Sequence, residues 1–290
     1  MRADLHEQNR RSWNHATIAH NSHKRDQAAF LRGGGSTLFD EEIALLGDVS
    51  GKRLVHLQCN AGPDSLSLAA RGAEVTGVDI SDEGIAFAQK LSTDSGIAAR
   101  FERADVYDWL AAAERDSRTF DIVFASYGAL CWLSDLRAWA RGIAAILAPG
   151  GRLVTIEFHP QLGLLDYRDG AYVWLRPVDG ASRWAEGVGD YVALSGDALA
   201  PSGYQPGVEG FANPEACHEF HWSVADKLDA VASAGLVIET VREYPYANGW
   251  RGFPTMLEIA PRKFRLADDA PTIPMMLGFS ATSPETGRRA

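Results

Sequence analysis

GKRLVHLQCNAGPDSLSLAARGAEVTGVDIS, residues 51–81, decides the fold of this chain. RLVHL (53–57) is a short apolar strand. Pro63 and Asp64 then suit the first turn of a helix, where a missing N–H costs nothing and a carboxylate meets the positive end of the dipole. That helix runs out at Gly72, and EVTGVD (74–79) is a second strand ending in an acid. Strand, small-residue turn, helix and acid-tipped strand form the unit that holds an adenosine-containing cofactor at the carboxyl ends of parallel strands.

The pattern continues downstream. Ser81 with acids at 82 and 83 caps a helix; ARFERAD, VYDWLAAAE and FDIVFAS alternate strand, helix and strand. SDLRAWARGIAAILAPGG is a helix stopped by Pro149 and glycines, and RLVTIEFHP is a fifth strand. Such alternation predicts an α/β fold with a Rossmann-like, mostly parallel sheet covered on both faces. Ahead of it, residues 1–50 read as an N-terminal helical cover, in which STLFDEEIALLGD offers Ser36 or Thr37 as a cap and Gly47 as a stop. Regularity ceases after His159: residues 160–222 form a long insertion rich in Gly, Tyr, Trp and Asp. The helix SVADKLDAVASAG returns the chain to the main domain. LVIETVREYP and PTMLEIA follow in succession, which predicts an antiparallel hairpin at the sheet edge. The expected division is therefore 51–159 with 223–262 as the cofactor domain, 160–222 on the substrate side, and 263–290 as a polar tail that frays.

Bulk properties narrow the partners. The 290 residues are 46% apolar, with 28 basic and 38 acidic side chains and a net charge of -10. An acidic balance without a basic tract argues against nucleic acid and anionic membrane as partners and favours a small-molecule acceptor. No apolar stretch is long enough to span a bilayer and the start has no apolar leader, so a cytoplasmic monomer or homodimer is expected. Cys59, Cys131 and Cys217 are too scattered for a disulfide framework or a zinc set, and no metal is expected. The first turn holds one glycine in His56-Leu57-Gln58-Cys59-Asn60-Ala61-Gly62. That disfavours the close approach of a dinucleotide pyrophosphate and with it an NAD(P)-dependent oxidoreductase. A phosphate-free cofactor demands less of this turn.

At this point the chain resembles the class I S-adenosylmethionine-dependent methyltransferases, over roughly residues 51–260. With Trp13-Asn14-His15 and the His159-Pro160 pair, it is most similar to a bacterial small-molecule subgroup whose first motif is poor in glycine. The resemblance implies S-adenosyl-L-methionine as cofactor. It sets Gln58, Asn60 and Gly62 in the turn that approaches the methionine part, with Asp64 nearby. Asp79 would take both ribose hydroxyls and Ile80 would lie against adenine. Asp105 would accept from the adenine amino group beside Val106, while Ser126 and Tyr127 would face the methyl group. Asp105 serves equally well as a cap for VYDWLAAAE.

The implied reaction is methyl transfer to nitrogen or oxygen of a small, aromatic or heterocyclic metabolite. Nucleic-acid methylation is disfavoured by charge and by ASYG where an N-P-P-Y-like motif would stand; a non-catalytic cofactor-binding protein is the other alternative. Holding the nucleophile in line is the main requirement, with a base useful for a protic acceptor. Glu157 and His159, two apart at the end of the fifth strand, share a face and lead the candidates for that base. His218 and His221 in ACHEFHWS come next, ahead of the group His15, His20 and His23.

Overall fold

The computed structural model describes residues 1–175 and 180–285. Its N-terminal cover comprises α1 (Ala3–Ser22), α2 (Gln27–Arg32) and α3 (Asp40–Leu46). The alternating segment follows as β1 (Arg53–Leu57), α4 (Pro63–Ala70), β2 (Glu74–Asp79), α5 (Asp82–Ser95), β3 (Arg100–Arg103), α6 (Val106–Arg115), β4 (Phe120–Ser126), α7 (Leu136–Ile146) and β5 (Leu147–Phe158). In the insertion, β6 (Leu165–Arg168) pairs with β7 (Ala171–Trp174), and β8 (Ala181–Trp184) with β9 (Cys217–Phe220), with α8 (Tyr191–Ser195) between. The chain closes with α9 (Val224–Ser233), β10 (Val237–Tyr244), β11 (Ala247–Asn248), β12 (Leu257–Ala260), β13 (Lys263–Arg265) and β14 (Met276–Thr282).

Seven strands form the main sheet in the order β10-β14-β5-β4-β1-β2-β3. β1 to β5 are mutually parallel, and β14 runs antiparallel to both β5 and β10. Successive strand residues serve opposite faces, as a period of two requires. Val55, Leu57, Val123 and Leu153 pack with Trp139 and Ile143 of α7. Leu54, Ile122, Val154 and Ile156 pack with Leu46 of α3 and Leu68 of α4. Burial on both faces explains why these strands read as continuous apolar runs.

Helix signals landed at their expected ends: Pro63 opens α4, and Ser81, Asp105, Asp135 and Ser223 each accept a backbone N–H as N-cap. One cap moved. α3 begins after Phe39 rather than Ser36 or Thr37, because Glu42 folds back onto the Phe39 N–H, while Thr37 bonds Ser67 and Asp64 on α4. Gly47 ends α3 with a φ of 62°.

The C-terminal region differs from the hairpin expected at residues 236–260. The antiparallel partner of β10 is β14, inside the stretch read as tail. LEIA instead becomes exposed β12 in a three-stranded sheet, β11-β13-β12. Met276 to Ala281 are buried throughout, wedged between two strands, and a short run behind Pro274 with Gly278 inside it gives little alternation to read. The small sheet shares a core with the insertion, where Leu162 and Leu165 pack with Phe253, Phe264 and Met275. The tail expectation for 286–290 lies outside the described residues.

Because β14 supplies ladder partners on both sides, its loss opens two sheet edges at once. Ending the chain after Pro274 is expected to abolish cooperative unfolding, followed by circular dichroism on heating. A truncated chain melting as sharply as the full one would contradict this placement.

Candidate active site

The carboxyl ends of β1, β2 and β4 meet at the turn that leaves β1. Gln58, Asn60 and Gly62 have φ values of 57°, 49° and 82°, so all three positions of the glycine motif keep left-handed backbone even where glycine is replaced. Asparagine tolerates that region through local hydrogen bonding, whereas glutamine needs outside support. Both receive it: the Gln58 amide donates to the Ala129 carbonyl at 2.6 Å, and the Asn60 N–H donates to Asp79 Oδ2 at 2.8 Å. Only glycine fits at 62, where an added Cβ would stand 2.7 Å from the Ala88 side chain and 2.9 Å from the Phe101 ring.

Asp79 is buried at the tip of β2, with Oδ1 accepting from the Ser81 N–H at 2.8 Å. Ser81, not Asp79, caps α5. Each carboxylate oxygen has two lone pairs and one protein donor, so two acceptor positions remain for a diol. Burial raises the Asp79 pKa, opposed by the backbone N–H groups of Ser81 and Asn60. Gln58 Oε1 is buried without a partner at the same edge, an acceptor that suits a donor on a bound molecule. These residues fit the adenosine and amino-acid ends of S-adenosylmethionine. Ile80 is half-buried and Val106 buried beside them.

Asp105 caps α6 through the Tyr107 N–H at 2.9 Å, and its other oxygen meets His6 Nδ1 at 2.8 Å. Both its oxygens thus have protein partners. Behind the turn, His56 Nδ1 lies 2.9 Å from Ser65 Oγ and its Nε2 3.3 Å from Ser126 Oγ. Ser126 therefore faces the sheet interior as well as the strand end.

The proposed bases occupy other roles. Glu157 Oε2 accepts from Gly128 N–H at 2.7 Å, and Oε1 from Ala129 and Leu130 N–H at 2.9 and 3.1 Å. A carboxylate so engaged shapes the turn after β4. Burial raises its pKa, with the buried Lys227 of α9 opposing. His159 accepts the Gln161 N–H on Nδ1 and pairs through Nε2 with Glu243 at 3.0 Å, fixing the start of the insertion to β10. His218 bonds Gln8 and Asn9 of α1, and His221 bonds Ser182 across the β8–β9 hairpin. Among the described residues, no three His, Cys, Asp or Glu side chains converge as a metal site would need.

Around Tyr127, expected at the site, stand residues that were not singled out in the sequence. Tyr127, with a φ of 44°, donates its hydroxyl to Glu42 Oε1 at 2.5 Å and accepts from Asn248 Nδ2 at 3.0 Å. Glu42 is fully buried and its pKa lies well above the usual carboxylate range through burial, with Asp64 adding to the shift. A signal existed: Glu42 and Leu46 stand four apart on α3, so a carboxyl shares the inward face. Tyr191 of α8 is the other; its ring centroid lies 4.1 Å from that of His20, and burial raises its pKa, with the charge of Asp79 adding to the shift. The insertion thus reaches the Asp79 side of the site. It is latched there by His20 to the Gly189 carbonyl, His23 to Asp190, and Ser12 to the Val188 N–H. Asn14 of the Trp13-Asn14-His15 motif ties α1 to Ser81 and Asp82.

Residues 55–151 match the methyltransferase-domain family. Over these residues the chain carries a methyltransferase domain. It is 31% identical to the ubiquinone biosynthesis O-methyltransferase of Aeromonas salmonicida, over 41% of this chain and 49% of that one. To the demethylmenaquinone methyltransferase of Thermus thermophilus it is 35% identical, over 38% and 48%. The chain therefore spans about half the length of the curated relatives it matches. Among solved structures, an S-adenosylmethionine-dependent methyltransferase from Mesorhizobium loti superposes with a TM-score of 0.51 at 24% identity, covering 82% of this chain and 94% of that one. One from Methanosarcina mazei gives 0.51 at 15% identity, covering 86% and 99%. These likenesses show the fold of the methyltransferase domain.

The domain's support for its turn is sensitive to pH. Burial lowers the pKa of His56 to about 4, and that of His20 likewise. A histidine held below its unfolded value of about 6.5 binds its proton first in the unfolded chain. Its contribution is complete above pH 6.5, is lost as pH falls toward 4, and changes no further below. Unfolding by urea at pH 7.5 and 4.5 should show stability falling with pH, and His56→Asn should reduce that fall by about 2–3 kcal/mol. An unchanged pH slope in the variant would rule out His56 as a source.

Proposed function

We propose that this protein transfers the methyl group of S-adenosylmethionine to nitrogen or oxygen of a small, aromatic or heterocyclic metabolite. The observation that carries the proposal is the meeting of Asp79, with acceptor capacity to spare, and the left-handed turn Gln58–Gly62 in a methyltransferase domain. Asp79 takes the ribose diol, and the turn leaves the ends of β1 and β4 open to the methionine part. Small-molecule chemistry is supported by the relatives, whose names give quinone-pathway substrates, and by the net charge of -10. Aromatic side chains support a flat acceptor: Tyr127 and Phe158 lie 5.9 Å apart, and Phe158 and Trp250 5.8 Å.

Without Glu157 as a base, catalysis rests on alignment. The acceptor atom must stand in line with the sulfur–methyl bond, and holding it there supplies the larger part of the acceleration. Glu157 contributes at one remove, since its three amide contacts set the turn that carries Tyr127.

Calorimetric titration with S-adenosylmethionine and S-adenosylhomocysteine tests the cofactor. One-site micromolar binding is expected, weakened at least tenfold by Asp79→Asn, since hydrogen bonds to a charged group contribute about 1.5–3 kcal/mol each. A folded protein that bound neither, or an Asp79→Asn variant of unchanged affinity, would overturn the ribose assignment.

A further inference from the structure

Beside Tyr127 stand two buried acceptor atoms that the protein leaves unanswered. Glu42 Oε1 takes the Tyr127 hydroxyl and the Phe39 N–H, at 2.5 and 3.3 Å, while its Oε2 has no partner. Asn248 donates Nδ2 to the Tyr127 hydroxyl at 3.0 Å and to Glu41 Oε2 at 2.9 Å, while its Oδ1 has no partner. Glu42 is 0% exposed and Asn248 2%. Each side chain is bonded through its other atom to the same hydroxyl, so both open acceptors belong to groups that adjoin Tyr127, the residue after β4.

The orientation of Asn248 is enforced. Glu41 also accepts from the Tyr246 hydroxyl at 2.7 Å and from Lys263 Nζ at 2.6 Å, and a carboxylate in that position requires the amide N–H side of Asn248, not its carbonyl. A buried acceptor without a hydrogen costs about 1–3 kcal/mol, and two such atoms beside a left-handed tyrosine mark a site that a ligand completes. An aromatic wall adjoins them. Phe39 meets Tyr127 edge to face at 6.1 Å, followed by Phe158 and Trp250.

We infer that Glu42 Oε2 and Asn248 Oδ1 form the subsite for the amine or hydroxyl group of the methyl acceptor, whose apolar body lies along Phe39, Tyr127, Phe158 and Trp250. This rests on the methyltransferase reading and narrows it to protic acceptors. An amine gives one hydrogen to Asn248 and another to Glu42, while a hydroxyl gives its single hydrogen to one of the two acceptors. A carbon nucleophile or a thioether has no such hydrogen and gains nothing from either atom. Glu42 is then a binding residue that orients the nucleophile beside Ser126 and Tyr127, where the domain's fold directs the methyl group.

The test uses the full chain saturated with S-adenosylhomocysteine and titrated, by NMR, with benzylamine, benzyl alcohol and toluene. The three probes share a ring and differ in the donor. Benzylamine is expected to bind at least tenfold more tightly than toluene. Glu42→Gln and Glu42→Leu should each erase most of that difference while leaving toluene and S-adenosylhomocysteine affinities within twofold, which also shows that the variants fold. Equal binding of benzylamine and toluene by the unmodified protein would overturn the subsite, as would a benzylamine preference surviving in both variants. Loss of S-adenosylhomocysteine affinity on Glu42→Gln would also overturn it, by assigning the carboxyl to the cofactor's ammonium. Failure of the unmodified protein to bind S-adenosylhomocysteine would be seen before any probe is added and would overturn the methyltransferase reading itself.

Discussion

The chain must leave β1 sharply enough that the ends of β2 and β4 stay uncovered. It does so through three residues of positive φ, two of which are not glycine. Such backbone persists only where the surroundings fix it. Here Asp79 fixes Asn60, the Ala129 carbonyl fixes Gln58, and the close approach of Ala88 and Phe101 reserves position 62 for glycine. The same contacts build the site, since Asp79 closes the turn with one lone pair and keeps others for a ligand. Ala129 in turn belongs to the loop that Glu157 holds by its backbone. One continuous set of hydrogen bonds thus joins the ends of β1, β2, β4 and β5.

Around this frame the appended pieces act as walls. α1 and the insertion are tied to each other by His20, His23 and Ser12, and to α5 by Asn14, which brings Tyr191 next to Asp79. On the other side, α3 and the β11–β13 sheet meet through Glu41, Asn248 and Lys263. In the proposed reading the cofactor side is thus bounded by α1 and α8, and the acceptor side by α3 and β11. Such a separation would let one geometry serve the methyl donor while a different set of loops selects the acceptor.

Local signals carried the frame, which is why it was legible. RLVHL, EVTGVD and FDIVFAS became strands at the expected residues, and Asp79 stands where its strand ends. The strand β14 was illegible because six buried residues between two neighbours show no alternation, and pairing partners far apart in sequence leave no local mark. Glu157 and His159 do share a face, as their spacing requires, but spacing does not say what faces them. Backbone amides took Glu157, and Glu243 took His159. Asp105 fulfilled its capping role, which residue type alone supports as well as ligand binding. Glu42 and Asn248 came together only through the tertiary fold, more than two hundred residues apart in the chain.

A crystal structure of the protein with S-adenosylhomocysteine tests the central claim most directly. The account predicts the ribose hydroxyls within hydrogen-bond distance of Asp79, the amino-acid end along the Gln58–Gly62 turn, and the sulfur directed toward Ser126 and Tyr127. A ligand bound elsewhere, or a ribose held by groups other than Asp79, would contradict it.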